Sequence, residues 1–179
     1  MFDWRDYENG IIAFDAGYVR PILAAIHLVV ENGRVAFIDT GSNDALPNAL
    51  AALKKLGLDR STVDYLILTH IHLDHAGGAG SLMQAFPHAK LVVHPRGARH
   101  MAAPEKLVAG VTAVYGAEYV KTVYGDILPV PADRIIEAHE GTVLDLAGRE
   151  LLCIDTPGHA KHHICVVDRK TGGIFTGDM

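Results

Sequence analysis

The segment Thr69-His70-Ile71-His72-Leu73-Asp74-His75-Ala76-Gly77-Gly78 constrains this chain more than any other, because it sets three imidazoles and a carboxylate within six residues. It follows Val63 to Thr69, a run of β-formers with nearly continuous apolar character, as expected of a strand buried on both faces of a sheet. Imidazole and carboxylate together suit zinc first, with manganese or iron as alternatives. The absence of cysteine from the cluster argues against a closed structural zinc site and for an open catalytic one. Alternate residues of an extended segment point the same way, so His70 and His72 can reach one ion, while the turn that follows aims Asp74 and His75 at a neighbour.

The surrounding pattern is that of an α/β chain. A strand is expected from Ile22 to Val30, a hairpin turn at Glu31-Asn32-Gly33-Arg34, and a second strand from Val35 to Asp39. Thr40 to Asn43 supply turn and N-cap chemistry for a helix from Ala45 to Leu56, whose apolar face is Leu46, Ala49, Leu50 and Leu53 and which Gly57 ends. Beyond the histidine segment come a short helix near Gly80 to Ala85 and a strand from Lys90 to His94. Strand, helix, strand implies layered architecture.

Residues 95–128 are expected to be a helical insert, broken by Pro104, Gly110, Gly116 and Gly125 and carrying Tyr115, Tyr119 and Tyr124 as candidate pocket walls. So long an excursion between strands reads as a lid, a substrate wall or an interface, or else as a helical pair packed on the sheet. Short strands then return at Ile135 to Ala138, Thr142 to Leu146, Glu150 to Asp155, Ile164 to Asp168 and Gly173 to Thr176, parted by turns such as Ala147-Gly148-Arg149. Two of them end in turns that present a ligand type: Asp155-Thr156-Pro157-Gly158-His159 and Phe175-Thr176-Gly177-Asp178.

Length and composition narrow the function. With 179 residues, 49% of them apolar, the chain is read as a single domain over residues 1–179 with enough material for a continuous core. A net charge of -5 offers no footprint for nucleic acid or an anionic bilayer. The start Met1-Phe2-Asp3-Trp4-Arg5-Asp6 is acidic where a secretory signal is basic, so a cytoplasmic location is expected. The apolar stretch from Ile22 to Val30 is far short of the roughly 20 residues a membrane span needs. Cys153 and Cys165 lie in apolar runs and are expected to be free, buried thiols.

Thr69 to Gly78, then Thr156 to Ala160, then Thr176 to Asp178 resemble the ordered signature of the metallo-beta-lactamase superfamily, and Ile38-Asp39-Thr40-Gly41 matches the strand-end aspartate which that superfamily places beneath its metal loop. The resemblance implies a four-layer αββα fold with one or two metal ions, His70, His72 and His159 holding the first, Asp74 and His75 the second, and Asp178 bridging them. Asp39 and His163 would stand behind the ligands and orient them. The superfamily pattern continues to a further histidine, strands and a helix, so the expectation is an incomplete C-terminus and a sheet left uncovered, which favours a homodimer.

The chemistry implied is hydrolysis by a metal-bound hydroxide, since a metal lowers the pKa of a bound water from about 15.7 to about 7. Asp74 is the candidate catalytic residue, orienting that nucleophile. A small ester, lactone or thioester is the expected substrate, with a mononuclear iron sulfur dioxygenase or a non-catalytic binding module as alternatives. Among the other histidines, His27 is expected in the core, His88, His100 and His139 on the surface, while His94 and His162 lie near the site without an assigned role.

Overall fold

A computed structural model describes residues 4–179, so the first three residues of the acidic start lie outside the described residues. Seven strands form the first sheet: β1 (Trp4–Asp6), β2 (Ile11–Asp15), β3 (Ala25–Glu31), β4 (Arg34–Ile38), β5 (Val63–Ile67), β6 (Lys90–Val93) and β7 (Ile135–Glu137), side by side in that order. The pairs from β1 to β4 are antiparallel and those from β4 to β7 parallel, with Ile38 opposite Ile67 and Leu66 opposite Leu91. The second sheet is antiparallel, in the order β11 (Ile174–Phe175), β10 (Ile164–Asp168), β9 (Arg149–Asp155), β8 (Val143–Leu146).

Parallel neighbours need crossovers, and α1 (Leu46–Lys55) and α3 (Ala79–Ala85) supply two of them on one face of the first sheet. Strand alternation then divides the core. Val35, Phe37, Leu66, Leu68, Leu91 and Val93 point to the helices, joining Ala49, Leu53, Leu82 and Met83. Ala36, Ile38, Ile67 and Val92 point the other way, onto Leu144, Leu146, Leu151, Cys153, Ile164 and Val166 of the second sheet. Burial on both faces is why β5 reads as an unbroken apolar run. Of the outward side chains of β8 and β9, Val143, Asp145 and Glu150 are exposed and Leu152 and Ile154 half-buried. Among the described residues no helix is long and apolar enough to cross a membrane.

Three expectations need correction. The strand expected from Ile22 begins only at Ala25; Ile22 is 74% exposed, and both it and Val19 have positive φ, so the apolar residues there belong to a surface loop. The edge strands β1 and β2 went unforeseen, although Asn9-Gly10 between them repeats the Asn-Gly hairpin device of Asn32-Gly33. Arg149, expected in a turn, opens β9 and is fully buried. Its Nε and terminal nitrogen bond the buried Asp168 at 2.9 and 2.5 Å, and its other nitrogen donates to the Asn9 carbonyl at 2.7 Å, tying the second sheet to the first. Both cysteines are free and buried, and burial lifts the Cys153 thiol to about 11.

Residues 95–128 hold α4 (Pro95–Ala102), α5 (Glu105–Tyr115) and α6 (Ala117–Tyr124). Val120 and Tyr124 of α6 pack on Leu73 from the histidine segment, with Tyr18, Leu107 and Val123 around them. The Asn43 amide fastens the end of this hairpin by donating to the carbonyls of Tyr124 and Asp126, each at 2.8 Å. The insert therefore stands as a wall beside the histidines.

Candidate metal centre

Both sheets deliver ligand-type residues to one place because their strands end there. From the first sheet, the chain leaves β5 and reaches His70; after His72 it turns into α2 (Leu73–Ala76), which carries Asp74 and His75. From the second, β9 ends at Asp155 ahead of His159, and β11 ends just before Asp178. The seam between them is stitched by the Ile164 N–H, which donates to the Thr69 carbonyl at 2.8 Å.

Asp39, just past β4, braces the loop. It sits at φ +63°, a left-handed conformation that Asp tolerates better than most residues. Its carboxylate accepts the Thr69 N–H and hydroxyl at 2.8 and 2.9 Å and lies 2.8 Å from His75 Nδ1. His75 is thus left with Nε2 facing the centre of the cluster.

Six side chains converge there. Ligand atoms of His70, His72 and His159 lie within 4.8 Å of one another, as do those of His70, His75 and Asp178. The two carboxylate oxygens of Asp178 divide between the sets, one 3.1 Å from His75 Nε2 and the other 3.7 Å from His159 Nε2. Asp74 joins neither triplet but brings an oxygen to 3.7 Å from His75 Nε2. His159 Nε2 and His72 Nδ1 stand 2.9 Å apart. His70 is fully buried and, among the described residues, its Nε2 has no hydrogen-bond partner, a costly state for a polar atom unless something else binds it.

The charge states of His70 and His72 also suit a cation. Burial, then the neighbouring imidazoles led by His75, pushes His70 down to about 2; burial followed by His159 lowers His72. Both therefore offer lone pairs at neutral pH. Burial pulls His75 down as well, but the hydrogen bond and charge of Asp39, with Asp74 and Asp178 beyond, outweigh it and lift the ring to about 9. Neutral His70 and His72, a shared carboxylate and an orphaned buried nitrogen form a donor set that divalent transition metals take, and His75 joins it by giving up its Nε2 proton.

The other expected residues fall into place around this set. His163 is buried, with Nδ1 2.8 Å from the Thr156 hydroxyl and Nε2 unpartnered among the described residues. The ring rests against Gly177, where an added Cβ would come within 2.9 Å of that nitrogen. His27 is partly buried, edge-on to Phe175 at 5.5 Å and kept below its ordinary pKa mainly by burial. His94 caps α4 through Nδ1 and meets Asp155 at 3.3 Å through Nε2. His162 accepts the Ile71 N–H at 3.4 Å, and its ring lies 5.8 Å from that of His72.

Of the three tyrosines expected as walls, only Tyr124 is buried, whereas Tyr115 and Tyr119 are exposed. Tyr124 stacks on Tyr18 with hydroxyls 2.9 Å apart; burial, then the bond to Tyr124 and the Asp74 charge raise the Tyr18 phenol, whereas burial and Asp74 raise Tyr124 against the bond to Tyr18, which lowers it. Tyr18 escaped sequence reasoning, since nothing local links it to a partner 106 residues away.

The profile of the Metallo-beta-lactamase superfamily matches residues 19–179. The chain belongs to this superfamily. It is 30% identical over 175 residues to the metallo-beta-lactamase fold-containing protein ST1585 of Sulfurisphaera tokodaii, covering 95% of this chain and 62% of that one. The solved structure of ST1585 superimposes with a TM-score of 0.75 over 95% of this chain and 63% of its own. A hydroxyacylglutathione hydrolase of Vibrio campbellii is 30% identical over 146 residues, 82% of this chain and 42% of that protein. The atrochrysone carboxyl ACP thioesterase of Aspergillus fumigatus is 30% identical over 145 residues, 79% of this chain and 35% of that protein. The chain thus spans about three fifths of ST1585 and a smaller share of the two enzymes.

Proposed function

We propose that this chain is a metal-dependent hydrolase of a small ester, lactone or thioester. What carries the reading is the buried, unpartnered Nε2 of His70, which is common to both groups of converging ligand atoms. In this reading His70, His72 and His159 would hold one ion, Asp74 and His75 the second, and Asp178, with an oxygen toward each group, would serve both. Zinc is the first expectation for a set of histidines and carboxylates, with manganese or iron next. When bound, such an ion supplies Lewis acidity, which acidifies water and polarises a carbonyl oxygen.

The chain's own side chains supply position and proton transfer. Asp74, partly exposed beside His75, presents a carboxylate oxygen that can orient a water and take up its proton. Tyr18 and Tyr124 wall the Asp74 side with aromatic surface and a hydroxyl pair. Support for the substrate class comes from the names of two relatives, a thioesterase and a hydroxyacylglutathione hydrolase.

The test is metal content per chain by plasma mass spectrometry on protein purified without added metal, alongside turnover of an ester, lactone and thioester panel. Two zinc or manganese ions that are lost in His72→Ala together with turnover uphold the proposal. A single iron with oxygen consumption on a persulfide replaces it with the dioxygenase. A folded chain that binds metal and turns nothing over replaces it with a binding module.

A further inference from the structure

Outside the metal cluster, a cleft lies between α4 and the loop after His159. It encloses about 500 Å³ and is lined by Pro95, Arg96, Arg99, His100, Lys161 and His162. Four observations set it apart.

Its charge opposes that of the chain. Against a net charge of -5, this cleft gathers two guanidiniums and an ammonium, and among the described residues none of the three has a carboxylate within 4 Å. Five of the chain's other cations are paired with carboxylates: Arg34 with Asp64, Lys121 with Asp126, Arg149 with Asp168, Arg169 with Glu150 and Lys170 with Glu31. The carboxylate at the nearby end of β9, Asp155, is engaged by His94.

The three cations can act on one ligand. Arg96 and Arg99 are three apart on α4 and so share a face, and both are exposed. Lys161 comes from the opposite side, two residues after His159.

The cleft also adjoins the metal cluster. His162 forms one of its walls while standing 5.8 Å, ring to ring, from His72. Finally, its position is fixed. Gly97, between the two arginines, presses α4 onto the metal loop so closely that a Cβ there would lie 2.8 Å from Ile71 and 2.9 Å from Val93. Ile71 sits between His70 and His72, so the helix bearing the arginines is docked directly on the ligand loop.

We infer that this cleft is a subsite for an anionic group, a carboxylate or a phosphate, carried by the same small substrate whose acyl bond lies over the histidine cluster. The inference rests on the hydrolase reading for that second half. Guanidinium forks match the paired oxygens of either anion, and a focused positive cleft draws anions in at a rate that salt suppresses. The substrate is then a charged acyl compound, with its anion placed on the His162 side and its remaining apolar part facing the wall of Tyr18 and Tyr124.

Three acyl thioesters test this on the full zinc-loaded chain: neutral S-acetyl-N-acetylcysteamine, S-succinyl-N-acetylcysteamine with a carboxylate on the acyl side, and acetyl-coenzyme A with phosphates on the thiol side. At low ionic strength, kcat/KM is expected to be about tenfold higher for one of the charged probes than for the neutral one. The preferred probe tells which side of the bond carries the anion. That gap should shrink with added salt, close in Arg96→Gln/Arg99→Gln and in Lys161→Gln, and persist in the remote control Arg60→Gln. Equal rates for all three probes, or a gap that survives these substitutions, overturn the inference.

Isothermal titration of succinate and of pyrophosphate into the full chain after chelation of metal separates the two readings. Should no probe be hydrolysed, the hydrolase reading fails and this titration decides the subsite alone. Binding that disappears in Arg96→Gln/Arg99→Gln upholds it, and absence of binding rejects it.

Discussion

The carboxylate of Asp39 lies 2.8 Å from His75 Nδ1 and takes the Thr69 N–H with its other oxygen, also at 2.8 Å. One side chain at the end of β4 thus sets both the path of the loop after β5 and the orientation of a ring within it. Asp39→Asn keeps an acceptor for Thr69 but weakens the hold on His75. The expected outcome is a folded chain whose metal affinity falls by about 10- to 100-fold. Competition against a chromogenic chelator measures this, with circular dichroism as the check on folding.

The metal-free chain should have a stability maximum near pH 6.5. His75, raised in the fold to about 9, contributes stability that is fully present below the ordinary histidine value of 6.5 and is lost as pH rises toward about 9. His70 and His162, lowered to about 2 and about 4, act in the opposite sense. The unfolded chain binds their protons below 6.5 while the folded one does not, so stability also falls on acidification. Urea midpoints across this range should trace a dome, and Asp39→Asn should flatten its alkaline side.

Gly177 immediately precedes Asp178, with φ +52° and no space for a side chain: an added Cβ would lie 2.6 Å from the Thr69 hydroxyl and 2.9 Å from His163 Nε2. Gly177→Ala should therefore cost about 1–3 kcal/mol and shift Asp178 away from His75 and His159. A lower melting temperature together with reduced metal per chain is the expected pair of results.

Arg149 and Asp168 form an ion pair in which both side chains are fully buried. Arg149→Ala strands the Asp168 charge and should cost about 3–5 kcal/mol by chemical denaturation. Replacing both partners with Met and Leu should cost less, because no uncompensated charge stays inside.

The parts of this molecule that were legible in the sequence are those whose signal is local. His70, His72, Asp74 and His75 stand together at the end of a strand, and β4, β5 and β6 declare themselves by apolar runs because both their faces are covered. Features decided by distant partners were not legible. Ile22 and Leu23 look like strand residues until the fold leaves them on the surface. Arg149 looks like a turn residue until Asp168 and the Asn9 carbonyl enclose it. Tyr18 gains meaning only from Tyr124, and the cationic cleft only from α4 lying beside the loop after His159.

Arg149 and the histidine cluster sit at opposite ends of β9, and both reach from one sheet to the other. The sandwich is consequently latched at two edges by different chemistry, one latch permanent and the other renewable. Removal of an ion held by the cluster would loosen only the second latch, and opening would then spread from the tips bearing His159 and Asp178 and stop short of the Arg149 edge. Amide exchange that quickens at those tips on metal removal, while β9 near Arg149 stays protected, would be the visible trace of a clasp that metal supply fastens and releases.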